Sequence, residues 1–393
     1  MLQQLLSIIR WYYRQLRVYN LAFPIYSVDY SGTNLDRDIT ETIVTDSRQG
    51  LKTRVGTATF QVQNVNNRFQ TSSTLQFKID DACNIYMGYQ NIGSFIVFPG
   101  FVNEITQITD KNQQNIKISL VNKLERMLSM MDAKDYPPSG STASQILTDV
   151  ITRINGYRKS GEPAIGTGQI ETTTGSITPY AFNYKPVIDI LKELSATEYT
   201  HNGQYIYYID NSNNLVYKPR PGVSNITISE YQFTEFNANY GIFDVVNAVI
   251  VNCGNDSNGA AVLVMGVNYG SVTEIGFRWK YYKNDVAGEI RQQGYAVATE
   301  RAKIKEKGQI WANSMVKTLG EPRWRIEATC KGTVYYPGTT TQMVQGEAIK
   351  ITSPSNWSGN KVLRLQDIRQ NFSAKGWMTT IEIEEDDKTK GGL

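Results

Sequence analysis

The feature that most constrains this chain is a succession of short alternating apolar segments, separated by turn residues at intervals of roughly ten residues. It fills Pro24–Val121. Within Arg54–Asn64, Ala58, Phe60 and Val62 point one way, and Thr57, Thr59 and Gln61 the other. A period of two is the signature of a strand with one face in a core. Leu75, Phe77 and Ile79 alternate again, Asp80 and Asp81 turn the chain, and Asn84–Tyr89 follows. Gly93 precedes Phe95–Phe98, Pro99-Gly100 makes a bend, and Phe101–Thr109 continues. After Asp110–Gln114, the segment Asn115–Val121 places Ile116, Ile118 and Leu120 in phase. Many short strands at this spacing predict a closed barrel or a sandwich.

The period then changes. Pro137-Pro138-Ser139-Gly140 marks a loop, and Ser141 or Thr142 can cap a helix with Ile146, Leu147, Val150, Ile151 and Ile154 on its apolar stripe and Gly156 at its end. Residues from Ser160 to Thr178 are rich in Gly and Thr and read as loop. A second helix starts near Pro186, with Val187, Ile190, Leu191 and Leu194 on its buried face. Tyr205–Ile209 and Leu215–Tyr217 flank Asp210–Asn214 as a hairpin. Strand patterns return at Asn225–Ser229, Asp244–Asn252, Val262–Val267 and Ser271–Phe277. Asp285–Leu319 is helical in composition, although Gly294 and Gly308 argue against one straight helix. Arg325–Cys330, Ala348–Ile351, Val362–Ile368 and Met378–Ile383 again read as strands.

The expected fold is therefore mainly β with an α+β insert. The expected units are a helix over 1–23, a first β-barrel domain over 24–129, an α+β insert over 130–222, and a second β-barrel domain over 223–386 with a helix at about 285–319. Residues 387–393 read as a flexible end. Two β domains in one chain hint at a duplicated barrel, an inference from element order.

Leu2, Leu5, Leu6, Ile9, Tyr13 and Leu16 recur at helical steps, with Arg10, Arg14 and Arg17 on another face. Such an amphipathic helix docks on a neighbour, packs on its own domain or lies on a membrane surface. A secretory signal places its positive charge before the apolar run; here it lies within and beyond it, so a signal peptide is not expected. No stretch reaches the roughly 18 apolar residues of a membrane span.

Composition narrows function mainly by what is missing. Net charge is +3, too little for a strongly electrostatic nucleic-acid partnership. Cys83, Cys253 and Cys330 are far apart and odd in number, so neither a disulfide framework nor a zinc site follows. A cell interior, or a virion assembled there, is the simpler compartment. The single histidine, His201, sits in a polar context beside Asn202-Gly203 and reads as an exposed turn rather than a catalytic base. Asp80-Asp81 and Glu384–Asp387 read as solvated surface. Asp210–Asn214 lacks the Gly and distal Glu of a helix-loop-helix calcium site. No phosphate-binding Gly-rich loop is present. No catalytic, cofactor or metal site is expected. Tyr is common, at 24 residues, which suits sheets and interfaces. Tyr205, Tyr207 and Tyr208, and Trp279, Tyr281 and Tyr282, also leave room for a carbohydrate-binding β protein, virion-borne or secreted.

Several local patterns, in colinear order, resemble the phage tail hub family, which includes contractile-tail baseplate hubs and siphon-tail tip hubs. They are Arg54–Asn64 followed by Arg68-Phe69, Asn84-Ile-Tyr-Met-Gly-Tyr89 followed by Phe98-Pro-Gly-Phe-Val-Asn-Glu-Ile105, and Val187–Leu194 with its following hairpin. Asp244–Val251, Arg301-Ala302 and Val362–Phe372 complete the set. The N-terminal helix lies outside the common pattern, and Gln345-Gly346-Glu347 stands where a Pro-Gly-Asp approach is usual. The resemblance implies two tail-tube-like barrels per chain and a homotrimer whose six barrels match a six-fold tail tube on one face and a three-fold spike on the other. It implies as partners the tail tube or a distal tail protein, a spike or tip protein and other baseplate subunits. A lumen able to pass DNA or a tape-measure protein without specific binding is also implied, and no stable membrane insertion is expected. Trp11, Tyr12, Tyr13 and Arg14, with Phe98 and Phe101, are the expected interface residues.

Overall fold

The computed structural model describes residues 24–40, 43–48, 56–69, 75–90, 93–110, 113–122, 124, 130–136, 140–158, 164–174, 176–177, 180–201, 205–210, 212–219, 226–242, 244–291, 295–332, 348–352, 363–374 and 376–385. The expected helix over 1–23 and the flexible end over 387–393 lie outside the described residues.

The first β unit holds β1 (Pro24–Tyr30), β2 (Thr33–Asn34), β3 (Ile43–Arg48), β4 (Thr57–Gln63), β5 (Ala82–Tyr89), β6 (Gly93–Asp110) and β7 (Gln113–Val121). Their order in the sheet is β3-β4-β7-β6-β5-β1-β2. The alternating residues close on one core: Phe60, Val62, Ile85, Met87, Ile118 and Leu120 are all buried. Burying each is worth roughly 1.5–3 kcal/mol, more than any strand propensity, so Asn84 and Gly88 are carried in β5 without harm. After β2 the chain returns to β4, where Ile39 bridges Val62. Two expectations change. Leu75–Ile79 forms no strand, because Phe77 turns into the core while Ile79 stays exposed. Pro99-Gly100 bends no chain out of the sheet: β6 runs through it, with a bulge opposite Ile85 and Tyr86.

The first insert contains β8 (Met131–Tyr136), β9 (Ser141–Thr142), α1 (Ala143–Asn155), β10 (Gly166–Ile170), β11 (Ser176–Ile177), β12 (Tyr180–Pro186), α2 (Val187–His201), β13 (Tyr205–Ile209) and β14 (Asn214–Pro219). Thr142 and Gln145 form a reciprocal capping box on α1. The expected stripes of α1 and α2 are buried against Tyr205, Tyr207 and Tyr217. The segment read as loop over 160–178 carries β10 and β11 instead. β10 pairs in parallel with β14, so a Gly/Thr-rich stretch becomes strand through tertiary pairing. On the polar side of α1, Asp149 accepts hydrogen bonds from Lys134 (2.6 Å), Tyr136 (2.5 Å) and Arg153, and Arg153 also binds Asp132. Burial would raise the Asp149 carboxyl, but these three donors outweigh it and hold it down at about 2.

The second β unit is interrupted by a second α+β body. β15 (Ile226–Ser229) and β16 (Glu235–Gly241) come first. β17 (Ala248–Asn255), β18 (Ala261–Val267), α3 (Tyr269–Ile275), β19 (Trp279–Lys283), α4 (Val286–Arg291) and α5 (Val297–Leu319) follow, with their own core around Val249, Val251, Cys253, Val264, Ile304 and Ala312. β20 (Arg323–Lys331), β21 (Ala348–Thr352), β22 (Leu363–Ser373) and β23 (Gly376–Glu385) complete the unit. The strand expected at Ser271–Phe277 is largely the helix α3, started by Asn268, whose side chain accepts from the Ser271 amide. The helix expected over 285–319 is two helices, and Gly308 does not break the second. Any side chain there would strike Cys253 of β17, so Gly308 lets α5 lie directly on the sheet. The two inserts touch through α2 and α5: Glu193 of α2 takes Lys185 at 2.5 Å and Lys307 of α5 at 3.1 Å.

The β units share a topology. The first orders its main strands β3-β4-β7-β6-β5-β1, and the second orders them β16-β20-β23-β22-β21-β15. Numbered along the chain within each unit, the two orders are identical. They differ in the last pair, which is antiparallel for β1 with β5 and parallel for β15 with β21. The units join edge to edge: β22 pairs with β3 from Asp367↔Arg48 to Phe372↔Ile43, making one 13-stranded sheet. At the tip of the β22–β23 hairpin Trp377, 2% exposed, enters the first unit's core beside Tyr89 and Phe95. Phe372 meets Tyr26 edge-on at 4.9 Å.

Replacing Trp377 by Ala should cost about 3–5 kcal/mol in urea unfolding, by leaving a cavity in a core to which this hairpin is foreign in sequence. Trp377→Phe should cost on the order of 1 kcal/mol. The Asp149 contribution is present above the unfolded carboxyl's pKa of about 4 and is lost as pH falls toward about 2. Asp149→Asn should therefore lower stability by about 1 kcal/mol at pH 7, kept small by screening at a partly open site, and flatten the stability profile between about pH 4 and pH 2.

Candidate assembly surface

The described residues do not assemble a catalytic constellation. His201 ends α2, and the placement of its ring lies outside the described residues. Cys83, Cys253 and Cys330 are all buried, and burial pushes each thiol up, Cys253 to about 11 and Cys330 to about 12, so none is a ready nucleophile. Asp80 makes the turn with φ 71°, and Asp81 accepts the Tyr30 hydroxyl at 2.6 Å. Asp210 spends its carboxylate on the Ser212 and Asn214 amides and the Asn214 side chain, closing the β13–β14 hairpin. Among the described residues no three His, Cys, Asp or Glu side chains stand together as metal ligands. No described helix is long and apolar enough to cross a membrane. A cleft of about 230 Å³ separates Asn84 and Phe101 of the first β unit from the Asp210 hairpin, without converging ionisable groups.

The exposed apolar residues and the strand edges are the other features of the surface. Of the expected interface residues, Trp11, Tyr12, Tyr13 and Arg14 lie outside the described residues. Phe98 and Phe101 are 1% and 5% exposed, so both rings are committed to packing within the chain. The aromatic clusters divide. Tyr205, Tyr207 and Tyr208 are buried, whereas Trp279 and Tyr281 are 51% and 52% exposed on β19. Phe277 stacks on Trp279 at 5.0 Å, and Leu263 and Met265 of β18 are exposed as well. With one face of the β17–β19 sheet on α5, these residues give the other an apolar surface of the kind that marks association.

The sheet edges are the second feature. Among the described residues β16 pairs with β20 alone and forms one end of the 13-stranded sheet. β6 pairs with β5 only as far as Phe101, so its Glu104–Asp110 half has β7 on one side and no strand on the other among the described residues. Glu104, Thr106, Gln107 and Ile108 are exposed there. An open strand edge is a template for another chain. Sequence patterns missed β16, whose Phe-Asn-Ala-Asn-Tyr core reads poorly as strand. They also missed the joint between the units, although Val102-Asn-Glu-Ile-Thr-Gln107 and Leu365-Gln-Asp-Ile-Arg-Gln370 carry a shared pattern.

No protein-family model matches the chain, and no curated protein matches it. Solved structures do. The 43 kDa tail protein of prophage MuSo2 from Shewanella oneidensis aligns with a TM-score of 0.58 and 15% identity, covering 92% of this chain and 98% of that one. A tail protein from Neisseria meningitidis MC58 gives 0.55 and 12%, covering 94% and 98%. A chain of the Francisella PdpA-VgrG complex gives 0.51 and 9%, covering 94% of this chain and 53% of that one. Over nearly its whole length, the chain has the fold of phage-type tail proteins.

Proposed function

We propose that the chain is a non-enzymatic structural subunit of a phage-type tail, a baseplate or tail-tip hub that works as a ring of three copies. The observation that carries this reading is the repeated β unit: two sheets of one strand order, held as neighbours by β3 and β22. Three chains then supply six β units around one axis. Such a ring presents six similar surfaces to a six-fold tail tube while keeping true three-fold symmetry for a spike. One polypeptide thereby adapts one symmetry to the other.

The partners of this reading are the tail tube or a distal tail protein on one face, a spike or tip protein on the other, and further baseplate subunits at the rim. The likeness to a chain of the PdpA-VgrG complex supports a place in a multi-protein assembly. The inserts suit the outside of the ring, where the Trp279–Tyr281 face is available to a neighbour. Residues 1–23 serve to dock the subunit on a neighbour, as their sequence pattern leads one to expect. The lumen passes DNA or a tape-measure protein, and a net charge of +3 suits passage without tight binding. The subunit is assembled in the host cytoplasm and resides in the virion.

A second reading, a carbohydrate-binding virion or secreted protein, rests on Trp279 and Tyr281, whose rings are open to a sugar face. It predicts a monomer with glycan affinity.

Native mass spectrometry of the full chain should give three times the 44.3 kDa of one subunit. A monomer that binds oligosaccharide would favour the second reading. Deleting Met1–Asn20 should leave a soluble ring with weakened attachment to its neighbours; loss of all soluble protein would place that segment in the core instead.

A further inference from the structure

The joint between the two β units of one chain offers a template for a contact between chains. Ser373↔Gly376 closes the β22–β23 hairpin as Asp110↔Gln113 closes β6–β7. Counting back from these pairs, Asp367 corresponds to Glu104, Ile368 to Ile105 and Gln370 to Gln107. The bulge between Leu365 and Asp367 then falls on the bulge between Val102 and Glu104. An irregularity conserved in place between two hairpins fixes the alignment to the residue. Continuing outward through β23 with β20 and β7 with β4, Arg325 corresponds to Thr57, and Asn239 of β16 to Asp46 of β3.

Within the chain, the Asp367–Phe372 half of β22 is covered by β3. Asp367 and Gln370 are each 4% exposed, and Thr45 of β3 is 1% exposed. The equivalent half of β6 bears Glu104 and Gln107, both exposed, and no strand covers it among the described residues. The equivalent of β3 is β16, the strand that ends the sheet, with Asn237 and Asn239 exposed. Among the described residues the chain thus carries one formed joint and the two separate halves of a second.

We propose that the Glu104–Asp110 edge of β6 pairs antiparallel with β16 of a second copy, in the register that β22 and β3 adopt within the chain. Asp46↔Arg369 becomes Asn239↔Thr106, and Val44↔Asn371 becomes Asn237↔Ile108. The occupant is another copy because the chain's own fold supplies the template and each copy offers both halves. The contact is heterologous, β6 of one copy against β16 of the next, so repetition closes a ring or grows a filament. The inference rests on the ring reading above and adds to it which strands meet and in what register.

Cysteines test it in the full-length chain. Directly opposed residues of an antiparallel pair lie about 4.5–5.5 Å apart at Cα, within disulfide range. Thr106 and Asn239 are exposed, and the three native thiols are buried and silent. Oxidised glutathione should convert the Thr106→Cys/Asn239→Cys chain into covalent dimers and trimers on a non-reducing gel. Mixing the two single variants should give the heterodimer alone, which excludes a bond within one chain. Thr109→Cys with Asn239→Cys displaces one thiol by three residues, roughly 10 Å, and should yield less than about a tenth as much. Equal yields from the two pairs, or none from Thr106 with Asn239, overturns the edge assignment. The mass of the wild-type particle separates the two failures: a trimer without the cross-link leaves the ring and removes this interface, whereas a monomer removes both. Exposed single variants should melt with the wild-type chain, so absence of the bond is not a folding defect.

Discussion

The pairing of β22 with β3 is the contact on which the rest of the structure depends. It makes two β units one continuous sheet, and its hairpin tip places Trp377 inside the partner unit. Backbone bonds across the joint set the register, and the buried indole holds the hairpin down. A ladder alone permits slippage by two residues, but a large ring seated between Tyr89 and Phe95 does not. The two units are thereby held to one register within the chain.

The inserts reinforce that geometry at a second level. Glu193 on α2, shared by Lys185 and Lys307, ties the first insert to α5 of the second. A buried carboxylate held by two ammonium groups is a weak source of net stability but a costly one to disrupt, since removing either partner strands a charge. The chain is therefore clamped at the joint between its sheets and again between its inserts. In the ring proposed above, rigidity of this kind has a use, because errors in angle accumulate from one unit to the next.

The parts of the fold legible in the sequence are those where side chains alone carry the signal. Alternation at Ala58, Phe60 and Val62 gave β4, and the stripe from Ile146 to Ile154 with its Thr142 cap gave α1. The failures arise where tertiary pairing overrides local preference. Gly166–Ile170 is strand because β14 lies beside it, and Ser271–Phe277 is mostly helix because Asn268 caps it. Glu235–Gly241 went unseen because alternating Asn residues have little reason to be strand until β20 pairs with them. Of the assembly surface, the aromatic stretch around Trp279 was visible, but burial of Tyr205, Tyr207 and Tyr208 was not, since a fully buried strand and an exposed aromatic one read alike. Repetition of the β unit is nearly silent in identity, surviving at Ile105 and Gln107 against Ile368 and Gln370. It is plain in strand order because topology tolerates side-chain change that preserves which face is buried.

In the proposed ring, each chain carries two equivalent wedges. Electron microscopy of the purified full-length protein, viewed down the particle axis, tests it most directly. Three such chains give a closed ring with six lobes of β density around an open centre, equivalent in alternate positions and only similar between neighbours. A two-fold dimer, an open filament, or a ring whose lobes fall into one class would contradict it.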